Sequence, residues 1–161
     1  MTAGARVTKV IDEVCTSNGI DWSLDGRTMY YVDTATRRID MFDFDADAGT
    51  IANRRTFVAI PEMEGKPDGL IVDEEGFIWV ALWQGSAVRR YSPAGDLVQQ
   101  IDLPVSCPTK CAFGGASLDE LYITSARTVL TAQEQRDREP HAGSVFVCKP
   151  GVRGRRATPA R

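Results

Sequence analysis

Three times along the chain a short polar head leads into an apolar strand, a tight turn and an aromatic or β-branched strand. This recurrence limits the fold more than any other feature. The first unit runs from Asn18-Gly19-Ile20 through "SLDGR" to "TMYYVD", "RRIDMFDFD" and "RRTFVAI". The second runs from Asp68-Gly69-Leu70 through "DEEG" to "FIWVAL", "AVRRYS" and "LVQQIDL". The third starts at Lys110-Cys111-Ala112 and passes through "GGASLDE" to "LYITSA" and "GSVFVC". The heads at 18, 68 and 110 lie 50 and 42 residues apart. Self-similarity at such a period marks a repeat architecture, and four short antiparallel strands per repeat make one propeller blade. The chain is therefore expected to be all-β, a β-propeller with about three blades present.

Strands are predicted over 18–23, 28–33, 37–43 and 53–60, then 69–73, 77–82, 86–91 and 96–102, then 111–114, 120–125 and 144–148. They are short, rich in β-branched and aromatic residues, and punctuated by Gly, Pro, Asn and Asp. The one helical candidate is 128–138, "TVLTAQEQRDR", expected as a short helix or a polar loop. The expected organisation is a partial propeller over 1–152 and a basic, flexible tail over 153–161, since "KPGVRGRRATPAR" is rich in Arg, Gly and Pro.

Composition removes several classes. At 161 residues and 43% hydrophobic, the chain suits one core of ordinary size. A net charge of −3 argues against nucleic acid as partner. No window carries the ~18 consecutive apolar residues of a membrane span, and the first residues lack the apolar run of a secretory signal. A cytoplasmic protein without membrane partners follows by default. Its four cysteines are expected as free thiols. Cys107 and Cys111 make no zinc site, because no second pair follows and the one histidine, His141, lies 30 residues on.

In a propeller the first strand of each blade lies innermost, so Asn18, Asp68 and Lys110 are expected to converge on the mouth of the central channel. Asn-Gly and Asp-Gly are also ordinary turn dipeptides, so turn chemistry and a shared site both stand at this point. The oxygen side chains suit a hard divalent cation. Other motifs fail on inspection. Asp43, Asp45 and Asp47 imitate an EF-hand loop, but Ala48 and Arg54 stand where Gly and a bidentate Glu are required. They are expected to form an acidic hairpin between outer strands. "EGKPDG" lacks a phosphate-binding Gly-rich loop, and a lone histidine makes no Ser–His–Asp set. Trp79, Trp83 and Tyr91 are assigned to blade core, with Trp83 near the cavity.

In order along the chain, "SNGIDWSLDGRTMYYVDT", "RRIDMFDFD", "ANRRTFVAI", "PDGLIVDEEGFIWVALWQGSAVRRYSPAG", "LPVSCPTKCAFGG" and "LYITSAR" resemble the gluconolactonase/regucalcin (senescence marker protein) family of six-bladed propellers. The resemblance runs to about residue 152 and corresponds to the C-terminal half of a family member. It implies a divalent cation on the axis, calcium first, with zinc, manganese or magnesium as alternatives. In the family that ion is held by a Glu from the first blade, an Asn heading a middle blade and an Asp heading the next. The Asn matches Asn18 and the Asp matches Asp68, which the resemblance also makes the general base. The implied reaction is metal-assisted hydrolysis of a sugar lactone. The Glu ligand and the Arg and Asn that grip sugar hydroxyls have no counterpart and would lie upstream of Met1, so substrate-binding residues are unknown. Where relatives often read Pro-Glu-Ala-Gly, this chain has Pro140-His141-Ala142-Gly143. Three functional readings follow: a lactonase completed by further blades, a non-catalytic metal- or ligand-binding half-propeller, and an inactive fragment. Three blades cannot close a ring, so self-association through the open edges is a further expectation.

Overall fold

The computed structural model describes residues 7–127 and 129–156. Eleven strands form three antiparallel sheets. The first sheet is β1 (Ser17–Trp22), β2 (Thr28–Asp33), β3 (Arg38–Asp45) and β4 (Thr50–Ala59), paired in chain order. The second repeats the plan with β5 (Lys66–Val72), β6 (Ile78–Trp83), β7 (Ala87–Tyr91) and β8 (Leu97–Asp102). The third holds β9 (Pro108–Gly114), β10 (Glu120–Ser125) and β11 (Val145–Cys148). These are two four-stranded blades and one three-stranded blade, part of a β-propeller as the repeat requires.

Alternation along each strand decides how the blades stack. In β6, Ile78, Val80 and Leu82 join Tyr30, Val32, Ile39 and Leu70 in the core between blades one and two. Trp79 and Ala81, on the other face, join Val88, Cys111, Leu121 and Ile123 between blades two and three. All five residues of β6 from Ile78 to Leu82 are 0% exposed. That explains an apolar run without polar alternation: the strand is covered on both faces. The outer strand β4, "TIANRRTFVA", alternates weakly because it is largely exposed.

A polar cluster ties the middle blade together. In the "DEEG" turn, the fully buried Asp73 accepts at Oδ1 from the Glu75 and Phe77 amides, at 2.9 and 3.0 Å. Its Oδ2 accepts from Trp79 Nε1 at 3.0 Å and Arg90 Nε at 2.8 Å. The Arg90 guanidinium lies 4.1 Å from the Phe77 ring centroid. The charge is thus buried with a full set of donors, the arrangement a buried carboxylate needs.

The acidic motif at 43–47 is a hairpin: Asp45 Oδ1 accepts from the Asp47 and Ala48 amides, both at 3.0 Å, and Asp43 pairs with Arg55 at 2.8 Å. Within the predicted helical stretch 128–138, α1 spans Ala132–Asp137, with a capping box between Thr131 and Glu134. Thr128 lies outside the described residues. The described cysteines are all free; Cys107 and Cys111 are buried, and burial pushes the Cys111 thiol up to about 12. Among the described residues, no helix is long and apolar enough to cross a membrane.

The basic segment packs further than its composition suggests. Gly154 forms a bridge to Asp73 and donates its amide to the Leu118 carbonyl at 2.8 Å. The Glu74 amide donates to the Arg153 carbonyl at 3.0 Å. Arg155 binds the Asp21 carboxylate and the Trp22 carbonyl. Residues 153–156 therefore lie against the turns of blades two and three and the end of β1 in blade one. Backbone groups left open by those turns supply the partners. Residues 157–161 of the expected tail lie outside the described residues.

Candidate functional site at the channel mouth

Neither Asn18-Gly19 nor Asp68-Gly69 sits in a turn. Both lie inside first strands, at places where the ladder slips. Ser17 stands opposite Asp33 and Ile20 opposite Tyr31, so three steps on β1 match two on β2. Likewise Pro67 stands opposite Leu82 and Leu70 opposite Val80. Each motif is thus a β-bulge, a device that re-aims a side chain out of the pleat. The two bulges occupy the same rung of adjacent blades.

The glycine after each head has a separate role. A Cβ on Gly19 would stand 2.5 Å from the Asp68 carbonyl oxygen and 2.6 Å from the Leu70 nitrogen. A Cβ on Gly69 would stand 2.8 Å from both the Thr109 carbonyl oxygen and Lys110 Cβ. Only glycine lets successive first strands approach this closely. The motif combines a head residue set at a bulge with a backbone that lets the next blade in.

The third blade differs from expectation. Pro108 stands opposite Ser125 and Lys110 opposite Thr124, which leaves Thr109 as the extra residue. Cys111 and Ile123 are opposed and face the preceding blade, as Leu70 and Val80 do. Counting back, Thr109 is the equivalent of Asn18 and Asp68, and Lys110 takes the glycine position. The sequence repeat places the third head one residue late, because the ladder and the facing direction, not the local motif, set the register. Lys110 reaches the same neighbourhood from that position, donating from Nζ to the Leu70 carbonyl at 3.0 Å.

Asn18 and Asp68 are neighbours. Asp68 is 8% exposed, and burial raises its carboxyl above the ordinary 3.8; the Asn18 side chain, the Gly69 amide and the charge of Lys110 oppose the rise without cancelling it. Asn18 Nδ2 also donates to Thr34 Oγ1 at 3.2 Å. Thr34 is a neighbour that the repeat did not signal, because it opens the short 3-10 turn Thr34–Thr36 after β2. That turn is held by the buried Asp33, which accepts from the Thr16, Cys15 and Ala35 amides at 2.9, 3.2 and 3.3 Å. Burial works to raise the Asp33 carboxyl, but these donors outweigh it and the group lies below its ordinary range.

Trp79 and Tyr91 are buried in the blade cores. Trp83 is half-buried and ends β6 opposite Lys66, at the same end of the blade as Asp68. His141 is exposed in the loop before β11. The carboxylate on that loop, Glu139, is engaged by the Ser106 amide and hydroxyl at 2.8 and 3.1 Å.

The donor set fits a hard cation in kind and falls short in number. Asp68 is a buried carboxylate with no ion pair within 4.0 Å among the described residues. Adjacent positive charge would offset its burial, and Asn18 offers a second oxygen of the same hard type. Among the described residues, however, no group of three or more His, Cys, Asp or Glu side chains gathers at metal-holding distance.

Comparison with known proteins bears on the family and the fold. Residues 1–127 match the family described as SMP-30/Gluconolactonase/LRE-like region. The chain is 42% identical to regucalcin of Gallus gallus over 150 residues, which cover 92% of this chain and 50% of that one. It superposes on a calcium-binding protein, regucalcin, from Agrobacterium tumefaciens with a TM-score of 0.87 and 33% identity, covering 93% of this chain and 51% of that one. A luciferin-regenerating enzyme gives a TM-score of 0.83 and 36% identity, covering 92% and 50%. The chain spans about half the length of the curated relatives it matches.

Proposed function

Because this chain belongs to the SMP-30/gluconolactonase/LRE-like family, we propose that its channel mouth is part of a divalent-metal-dependent lactonase centre acting on sugar lactones. Asn18 and Asp68 are the metal ligands that this chain contributes, and Asp68 is also the general base. The observation that supports the reading is the placement of these two residues at equivalent bulges of adjacent blades, with Asn18 acting on the Asp68 carboxyl. When bound, a divalent cation supplies electrophilic polarisation of the ester carbonyl.

The residues of the chain divide the remaining work. Asn18, steadied by Thr34, presents a neutral ligand in a fixed direction. Asp68 sits where burial raises its affinity for a proton, which favours its use as a base toward a water molecule beside the lactone. Lys110 places positive charge next to Asp68 and helps to hold it ionised. A third, anionic ligand and the groups that read sugar hydroxyls are assigned to further blades, supplied by additional chain or by a second copy that closes the ring.

The test joins this chain to three further blades of a family member and assays sugar-lactone hydrolysis with calcium, manganese or zinc. Asp68→Asn should abolish turnover with the fold intact. Asn18→Ala should weaken metal binding and recover in part at higher metal concentration. Full activity in the Asp68 variant would overturn the assignment. A second reading, a half-propeller that binds metal without turnover, draws on the lack of a third carboxylate among the described residues. Metal binding in the assembled ring with no hydrolysis of any lactone would favour it.

A further inference from the structure

At the end of the first strands remote from Asn18 and Asp68, the turns at 23–27, 73–77 and 115–119 surround the segment 153–156. Between them lies a cavity of about 520 Å³, lined by Leu24, Glu74, the turn from Gly115 to Leu118, and Arg153, Gly154, Arg155 and Arg156. Three arginines thus line it with one carboxylate. Arg155 is fixed by the Asp21 carboxylate and the Trp22 carbonyl. Arg153 and Arg156 are exposed, and neither guanidinium makes an ion pair among the described residues.

The rest of the lining is suited to the same charge. Gly115 and Leu118 have positive φ, at 81° and 54°, and the Leu118 amide closes the turn onto the Gly115 carbonyl at 3.2 Å. The intervening amides of Ala116 and Ser117 have no backbone partner among the described residues. A tight turn with open amides is an anion-binding element, and Ser117 adds a hydroxyl. Guanidinium forks match phosphate oxygens in pairs, where a single carboxylate would use one fork. The volume exceeds that of a phosphate ion alone and leaves room for an attached sugar-sized group.

We propose that this lower cavity binds a phosphate monoester, gripped by Arg153 and Arg156 against the Gly115–Leu118 turn, with Arg155 as a fixed wall. The site is independent of the lactonase reading, since no residue is shared with the channel mouth. Because the segment 153–156 touches the turns of blades two and three and the end of β1 in blade one, a ligand seated there holds those blades together and raises the unfolding temperature.

The experiment uses the full 161-residue chain, with inorganic phosphate and glucose 6-phosphate as probes and sodium chloride at matched ionic strength as control. A saturable rise in melting temperature is expected with each probe and not with chloride, together with broadening of the probe's ³¹P signal. Arg153→Ser with Arg156→Ser should weaken the apparent affinity at least tenfold, while the urea midpoint without phosphate stays where it was. Glu74→Gln, which removes the opposing charge, should tighten it several-fold. Equal stabilisation of wild type and double variant would reduce the effect to the general salting-out action of phosphate and overturn the site. Should the double variant fail to fold, unchanged affinity in Glu74→Gln would overturn it just as well.

Discussion

Asp73→Asn isolates the polar cluster that supports the blade carrying Asp68. The wild-type carboxylate has two acceptor oxygens, each serving two donors: the Glu75 and Phe77 amides on one, Trp79 Nε1 and Arg90 Nε on the other. Asparagine has only one acceptor oxygen. If its oxygen faces the backbone, the new NH2 confronts Trp79 and Arg90; if it faces Trp79 and Arg90, the NH2 confronts two amides. Two of four hydrogen bonds are lost in either pose, at a 0% exposed position. Arg90, itself 8% exposed, also loses its buried anionic partner and keeps Glu75, whose side chain is 55% exposed. Breaking a buried pair from one side costs about 3–5 kcal/mol.

At a urea m-value near 2 kcal/mol/M, that cost lowers the midpoint by roughly 1.5–2.5 M. For a chain of this size it lowers the melting temperature by about 6–20 °C. Urea unfolding followed by tryptophan fluorescence reads the shift directly, since Trp79 is part of the cluster. In an Arg90→Met background the same substitution should cost less than half as much, because the uncompensated guanidinium is gone. A loss under about 1 kcal/mol in the single variant would refute the argument and mean that Glu75 alone satisfies Arg90.

Gly19→Ala should destabilise by about 1–3 kcal/mol, because the added Cβ meets the Asp68 carbonyl oxygen at 2.5 Å and forces blades one and two apart; an unchanged urea midpoint would contradict the close approach. Asp68→Asn should alter the pH dependence of stability. The folded carboxyl is raised above 3.8, so its contribution is fully present below that value and is lost as pH rises through the folded value. The variant should therefore gain on wild type as pH rises through that interval and show no further relative change above it, as measured by urea midpoints from pH 3 to 8. Alkylation of the native protein with iodoacetamide should label the exposed Cys15 first and spare Cys107 and Cys111, with burial holding the Cys111 thiol at about 12; mass spectrometry of the digested protein reads the order.

Much of the architecture is legible in the amino-acid sequence. Short strands at blade spacing fall within a few residues of their observed bounds, since period-two alternation and turn residues are local properties of the chain. "FIWVAL" reads as a strand from composition alone, and its two-sided burial is what removed the polar alternation. Asn18 and Asp68 are legible as a pair because they repeat in the same place, and both head residues fall at equivalent bulges of adjacent blades. Their partner Thr34 is not legible, because it belongs to a connection after β2 and approaches Asn18 only when that connection is folded back.

The amino-acid sequence by itself determined the fold class and the number of blades, and it singled out Asn18 and Asp68 as candidates. Tertiary structure alone decided that Thr109, not Lys110, is their counterpart, since a one-residue difference in register depends on which ladder hydrogen bonds form. It also decided that residues 153–156 pack against all three blades, although their composition reads as a solvated tail. In both cases the deciding contacts join residues far apart in the chain. Local preference carries no record of them, because their energy exists only once the blades stand side by side.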